Sequence, residues 1–375
     1  MTAPRALFFY GTLRYLPLLE VVVGRVPSTR HAWLQGYGTR AIEGQAHPTI
    51  KPSLSARSEG LLIEGLSEEE IARIAYYEGV DDYVLHTELV ETADGALEAG
   101  IYVASDHQVI GGDWSFHDWV RNYGAVMVEA AREAMAVKGI LSDAEFDAAY
   151  NMMVSRAQAR LRARAEPAPA KIRGPLGRKD TEILAERHPY TQYFKVVEQD
   201  LRFPRFAGGM SEPVTRSAFV GGDAVTLLPY DPVRDRVLLI EQFRFGPHVR
   251  HDPRPWLLEP IAGRIDLGET PQDTARREAQ EEARLDIGEL HEIARYYPSP
   301  GTLAEFLISF VGLAELPDAS AVIAGAEAEA EDIKGHLVDF DRLMALISTG
   351  EAANAPLILS AQWLAVNRGR LRGSP

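Results

Sequence analysis

Cysteine is absent from the 375 residues of this chain, which excludes disulfides, thiolate metal ligands and a cysteine nucleophile. Long apolar runs are missing as well, and none approaches the roughly 20 residues that a membrane-spanning helix needs. The opening Met1-Thr2-Ala3-Pro4-Arg5-Ala6 lacks the apolar core of a secretion signal, so a cytoplasmic protein with no membrane partner is expected. Positive charge is in short supply: 39 Lys and Arg face 54 Asp and Glu, a formal net charge of −15. That balance disfavours sequence-independent nucleic-acid binding, which needs a surplus of cations against phosphates, and points to a small molecule. If the substrate is itself anionic, local arginines or bound cations must reverse the overall field.

What is present suffices for two cores, since 46% of the residues are hydrophobic and the chain is longer than one core usually organises. The stretch Glu166-Pro167-Ala168-Pro169-Ala170, continuing through Lys171 to Pro175, has no apolar periodicity and resists helix and strand alike. It marks a linker at 166–178 between domains at 1–165 and 179–375. No internal repeat relates the halves, so two different folds are expected.

In the first half, Ala6–Phe9, Ala32–Tyr37, Gly60–Ile63, Tyr83–Glu91 and Leu97–Ala104 read as strands of a small sheet. Helices follow at Phe116–Val137 and, opened by Ser142 and Glu145, at Asp143–Arg164. The second half reads as strands at Asp223–Tyr230, Arg236–Phe245 and Trp256–Ile261, a helix, strands at Phe306–Leu313 and His336–Phe340, and two closing helices. Mixed rather than alternating elements predict an α+β class.

The helix of the second half carries the chemistry. Thr270 caps it, Pro271 fits its first turn, and Asp273 completes a capping box. Glu278, Glu281 and Glu282 then fall at i, i+3 and i+4 on one face, while Ala275, Ala279 and Ala283 form a small-residue face beside them. Three clustered carboxylates repel one another unless water, arginine or divalent cations neutralise them. A lone acidic triplet is more often a solvated helix face than a ligand set.

The surroundings change that reading. Gly263, Glu269 and the run Arg277-Glu278-Ala279-Gln280-Glu281-Glu282-Ala283-Arg284-Leu285 resemble the Nudix box in residue type and spacing, with Arg284 where the pattern has glycine. The resemblance implies an α/β/α sandwich and metal-assisted cleavage of a nucleoside diphosphate. It implies Mg²⁺, with Mn²⁺ as the alternative, held by Glu278, Glu281, Glu282 and the Ala262 carbonyl; hard oxygens suit such ions. Glu269 and Arg277 would orient loop and helix beside Gly263. A glycine position filled by Arg284 bears on local stability more than on ligation.

Over Asp180–Arg372 the chain is similar to the ADP-ribose pyrophosphatase branch of that family. Pro300, in Ser299-Pro300-Gly301, lies fifteen residues beyond the box; Leu228 through Arg244 and Trp256-Leu257-Leu258-Glu259 match the strands before it. Glu329-Ala330-Glu331-Asp332-Ile333 resembles the acidic loop carrying the general base, which the resemblance places at Glu329, with Glu331 next. Arg216 and Arg244 match positions that contact phosphates and ribose. The branch implies AMP and ribose 5-phosphate as products and a homodimer as the assembly.

In the first half, Ser67 opens a short helix whose apolar stripe of Ile71, Ile74 and Ala75 also carries Glu78. A carboxylate on a core face is expensive unless paired, hydrogen-bonded or protonated, and such groups often serve acid–base chemistry; a frayed helix end is the plainer alternative. The strand leading into Tyr10-Gly11-Thr12-Leu13, with Glu78 beyond, resembles the γ-glutamylcyclotransferase-like (AIG2-like) family over residues 5–105. That likeness implies a small mixed β-barrel with helices, a substrate cradle at Tyr10–Leu13 and proton transfer by Glu78. Two alternatives to a diphosphate hydrolase therefore remain open: an ADP-ribose sensor without turnover, and a principal γ-glutamyl cyclotransferase.

Overall fold

The computed structural model describes residues 6–79, 83–104, 109–166, 169–320, 323–324 and 332–373. The chain divides into two compact units, Met1–Arg178 with His188–Val196, and Lys179–Arg187 with Val197–Pro375. No helix among the described residues is long and apolar enough to cross a membrane.

The first unit runs β1 (Ala6–Phe9), α1 (Leu16–Val23), β2 (Thr29–Ile42), β3 (Pro48–Glu64), α2 (Glu68–Glu78), β4 (Tyr83–Thr92), β5 (Gly95–Ala104), β6 (Ile110–Asp113), α3 (Phe116–Trp119), α4 (Ala125–Ala136) and α5 (Asp143–Ala165). Strands β3, β1, β5, β4 and β2 pair in that order and β2 returns to β3, closing a five-stranded barrel. Phe8, Tyr10, Leu34, Leu62 and Ile101 fill it. Gly60 permits the close approach of β3 to β1, since a Cβ there would lie 2.4 Å from the Phe8 ring and 2.5 Å from the Phe9 carbonyl.

Strands β2 and β3 run well beyond the apolar segments that the sequence marks, because their distal halves also pair with each other, from Tyr37↔Pro52 to Ala41↔Pro48. The helix expected at Phe116–Val137 is interrupted by a π-helical turn at Val120–Gly124. Of the expected stripe Ile71, Ile74 and Ala75, only Ile74 is fully buried, Ile71 being half-buried and Ala75 exposed, and Tyr77 is the second buried residue of α2. Buried Arg156 of α5 pairs with Glu133 of α4 at 2.7 Å and locks those helices together.

Strands β7 (Glu182–Thr191), β8 (Lys195–Arg202) and β9 (Val214–Val220) form a three-stranded sheet that belongs to the second unit except for His188–Thr191 of β7 and Lys195–Val196 of β8, which group with the first. The second unit continues with β10 (Ala224–Asp231), β11 (Arg236–Phe243), α6 (Phe245–Val249), β12 (Trp256–Glu259), β13 (Ile261–Arg264), α7 (Pro271–Ala283), β14 (Leu290–Tyr296), β15 (Leu307–Leu313), β16 (Ile323–Ala324), β17 (Ile333–Asp339), α8 (Phe340–Thr349) and α9 (Ala355–Leu371). Its main sheet has the order β14-β15-β10-β11-β17-β16, with β12 on β11 and β13 on β10; β10 and β15 run parallel.

Alternation along β10 and β11 builds two cores, as a period of two requires. Val225, Leu227, Leu238 and Ile240 meet the alanine face of α7, while Leu228, Tyr230, Val237 and Leu239 meet α8 and α9. The sheet lies between helical layers as an α/β/α sandwich. The segment expected as one strand at Trp256–Ile261 is two, divided at Pro260, which has no N–H to donate.

Candidate active site

Helix α7 begins as its sequence dictates. The Thr270 hydroxyl accepts from the Asp273 amide, the Asp273 carboxylate accepts from the Thr270 amide, and Pro271 fills the first turn. Ala275, Ala279 and Ala283 are buried, which lets the helix lie close to the sheet. The carboxylates on the adjoining face are thereby drawn down against β13.

Glu282 is 3% exposed, and its Oε2 accepts from the Ala262 amide at 3.1 Å. Glu278 lies over Gly263 so closely that a Cβ there would stand 1.7 Å from its Oε1. Glycine at 263 is thus a steric condition for this carboxylate position. Glu281, one turn along from Arg277, is half exposed.

Arg277 organises the charges. Its Nη1 donates to Glu278 Oε1 at 2.7 Å and to Glu281 Oε2 at 2.9 Å, and its Nε donates to Glu269 Oε1 at 2.8 Å. Its Nη2 reaches the Arg264 carbonyl at 3.1 Å. The hydrogen bond to Glu269 first, and then the charges of Glu278, Asp266 and Glu269, raise the Arg277 guanidinium above its ordinary range although burial opposes this. Burial opposes ionisation of Glu269, but bonds from Arg277 and Thr274 outweigh it and hold the carboxyl below its usual value.

Among the described residues no three acidic or histidine side chains converge as a ready cation cage. Two do converge on one positive charge, because Glu278 and Glu281 share a single nitrogen of Arg277. With Glu282 buried beside them, this donor set fits a divalent cation of hard-oxygen preference.

A second polar cluster adjoins the box. Arg244, following β11, places Nε at 2.7 Å and Nη2 at 2.6 Å from Glu259 Oε2. Glu305, just before β15, carries a carboxyl raised above its ordinary range, chiefly by burial and further by Asp223, with Arg264 and Arg244 partly offsetting this. Sequence reasoning does not single out Glu305. The one local signal is an acid directly ahead of the apolar run Phe306–Leu313; its burial beside Asp223 and Arg264 comes from distant strands.

Ser299, Pro300 and Gly301 are exposed on a turn in which the Ser299 carbonyl accepts from Thr302 and Leu303. That turn docks on β9, where Phe219 donates to the Thr302 carbonyl and accepts from Ala304. Arg216 lies on the same strand, exposed, its guanidinium 2.9 Å from the Thr215 carbonyl. Glu329 and Glu331 lie outside the described residues.

In the first unit, an open pocket is lined by Tyr10–Leu13, Glu78, Tyr83 and Tyr102. Gly11 lets the turn approach the facing wall, since its Cβ would meet Pro48 Cγ at 3.1 Å. The Tyr10 hydroxyl donates to the Tyr102 carbonyl at 2.7 Å. Burial first, then the Glu78 charge, pushes Tyr102 up to about 12 and Tyr10 well above its usual value. Both phenols therefore stay protonated well above neutral pH.

Comparison with known proteins agrees with this division. The NUDIX domain profile matches residues 222–360, and the profile "Gamma-glutamyl cyclotransferase, AIG2-like" matches residues 7–121. An ADP-ribose pyrophosphatase of Haemophilus influenzae is 36% identical over 198 residues, 52% of this chain and 91% of its own length. One from Escherichia coli strain K12 is 38% identical over 196 residues, 52% of this chain and 93% of its own. A GDP-mannose pyrophosphatase of Enterobacter sp. strain 638 is 32% identical over 152 residues, 40% of this chain and 78% of its own.

Proposed function

This chain belongs to the NUDIX family, and on that premise we propose that its second unit hydrolyses the diphosphate of ADP-ribose to AMP and ribose 5-phosphate. The observation that carries the proposal is the carboxylate group of α7, held against β13 by Gly263 and gathered on Arg277. NUDIX hydrolases use divalent metal ions, and Mg²⁺ is the one proposed here, with Mn²⁺ as substitute, held by Glu278, Glu281, Glu282 and the Ala262 carbonyl. Such a cation supplies charge neutralisation on phosphate oxygens and makes water easier to deprotonate.

The residues of the chain do the rest. Glu329, with Glu331 as the alternative, takes the proton of the attacking water as its oxygen bonds to phosphorus and the bridging P–O bond breaks. Arg244 and Arg216 bind phosphate and ribose, and the Ser299-Pro300-Gly301 turn shapes the same pocket. Glu269 and Arg277 fix the loop before α7 so that its carboxylates keep their places. A cytoplasmic homodimer completes the proposal, and sedimentation velocity tests the assembly.

Both ADP-ribose and GDP-mannose pyrophosphatases are among the relatives, so the base is the point to test. Measuring kcat/KM with Mg²⁺ for ADP-ribose, other ADP-sugars and GDP-mannose should rank ADP-ribose first. A clear preference for GDP-mannose would contradict the substrate assignment while leaving the reaction class intact.

One observation favours a second activity, in the first unit. The pocket joins the Tyr10–Leu13 turn to Glu78, as cyclisation of a γ-glutamyl amine requires. Glu78 would carry a proton from the attacking α-amine to the departing amine while the lactam C–N bond forms and the amide C–N bond breaks. Release of 5-oxoproline, lost in Glu78→Gln, is the expected result; no release from any γ-glutamyl amine would refute it.

A further inference from the structure

The polar cluster beside the box contains a carboxylate that no step of the reaction uses. Glu259 closes β12 with a side chain only 6% exposed. A buried carboxylate is strongly disfavoured unless its oxygens are separately satisfied by charge and hydrogen bonds. Here both are. Oε2 receives Nε and Nη2 of Arg244 at 2.7 and 2.6 Å, and Oε1 receives the Asn354 side-chain amide at 2.9 Å.

Asn354 is in turn fixed from behind. It caps α9, its Oδ1 accepting from the Leu357 amide at 3.1 Å. Only one orientation of that amide lets oxygen meet an N–H and nitrogen meet a carboxylate, so the two contacts define each other. The α9 N-terminus also lends partial positive charge to the neighbourhood of Glu259. Leu357, Ala361 and Leu364 anchor the helix in the core on the α8 side of the sheet.

Arg244 is held by only part of its fork. Two of its five N–H groups meet Glu259, and the side chain is 39% exposed, leaving the remaining donors for a ligand. A long arginine otherwise loses much rotamer freedom on binding, so holding it beforehand favours association.

We propose that Glu259 is a positioning residue that holds Arg244 ready for the diphosphate substrate, and that Asn354 relays the rigidity of α9 to it. This rests on the reading of Arg244 as a substrate contact. The support runs from the core through a helix cap and a buried carboxylate to a guanidinium beside Glu305 and the box.

The test is a double-mutant cycle on the full-length protein, with steady-state ADP-ribose hydrolysis at saturating Mg²⁺ and a thermal melt for each variant. Arg244→Ala should lower kcat/KM. Glu259→Gln should lower it roughly tenfold, the scale on which outer-shell partners act, mainly through KM, and should add nothing in the Arg244→Ala background. Asn354→Ser keeps a good helix cap but removes the amide donor, and should shift KM the same way by less. It also decides the question if Glu259→Gln does not fold.

Wild-type KM in the Glu259→Gln and Asn354→Ser variants, with Arg244→Ala impaired, would overturn the inference. So would a Glu259→Gln loss that multiplies onto that of Arg244→Ala. An unimpaired Arg244→Ala removes the reading beneath it, and a wild-type protein without turnover removes the proposed function; each failure is distinguishable from the others.

Discussion

A single missing side chain decides where the Glu278 carboxylate can lie. At Gly263 an added methyl would occupy the space of Glu278 Oε1, 1.7 Å away. The obstructed atom is the end of a flexible side chain rather than backbone, so Gly263→Ala should fold with little change in melting temperature. The carboxylate must move, however, and displacement of about 1 Å at a reacting site can reduce turnover on the order of 100-fold. Steady-state kinetics beside a thermal melt checks the split; wild-type turnover in the Gly263→Ala variant would show that Glu278 need not rest on β13. The Glu282 carboxylate has a different constraint, being buried and tied to the Ala262 amide. Glu282→Gln preserves size and should abolish Mg²⁺-dependent turnover while leaving the fold intact, which a melt and an activity assay verify together.

At the scale of elements, α7 ends in strain. Arg284 sits at φ 53° and ψ 38°, the left-handed region, with its amide 3.0 Å from the Gln280 carbonyl and that of Leu285 3.0 Å from the Ala279 carbonyl. A non-glycine residue is disfavoured there by about 1 kcal/mol or more, so Arg284→Gly should stabilise the second unit by about that amount without loss of turnover. Chemical denaturation measures it. In the first unit, Glu70 completes the cap of α2 by accepting from the Ser67 amide at 2.7 Å and pairs with Arg25 at 2.5 Å. The Arg25 bonds, then the Ser67 amide, hold its carboxyl down to about 2 against an ordinary 4.5. A depressed acid stabilises the fold above its ordinary value and loses that contribution as pH falls towards the depressed one. The stability difference between wild type and Glu70→Gln should therefore be constant above pH 4.5 and vanish towards pH 2; a difference independent of pH across that window would contradict the pairing.

The same elements explain what the sequence made legible. Helix α7 announces itself because its cap, its Pro271, its alanine face and its carboxylates are all local signals. Strands β7, β8 and β9 do not, because charge pairs such as Arg187 with Glu198 at 2.7 Å and with Asp200 at 2.7 Å replace apolar alternation. Pro260 is visible in the sequence, but that the chain there passes from pairing with β11 to pairing with β10 is a tertiary fact. Glu305 belongs to the same class: beyond its burial, its carboxyl responds to the charges of Arg264 and Asp223, which only the sheet brings near.

At the scale of the whole molecule, two candidate sites of unrelated chemistry share one chain, one on α7 and β13, the other between β1, α2 and β5. They should dissociate under mutation: Glu282→Gln should end diphosphate cleavage and spare 5-oxoproline release, and Glu78→Gln should do the reverse. Loss of both activities from either substitution would show that the sites are coupled. A formal charge of −15 also sets the terms for an anionic substrate, which must be met by cations and by Arg244 and Arg216 locally. The most direct measurement follows the phosphorus NMR spectrum of ADP-ribose incubated with the full-length protein and Mg²⁺. The diphosphate resonances should give way to two phosphomonoester signals, of AMP and ribose 5-phosphate, and should persist when the metal is chelated. Unchanged diphosphate signals despite saturable ADP-ribose binding would contradict catalysis and make this a protein that senses its ligand without cleaving it.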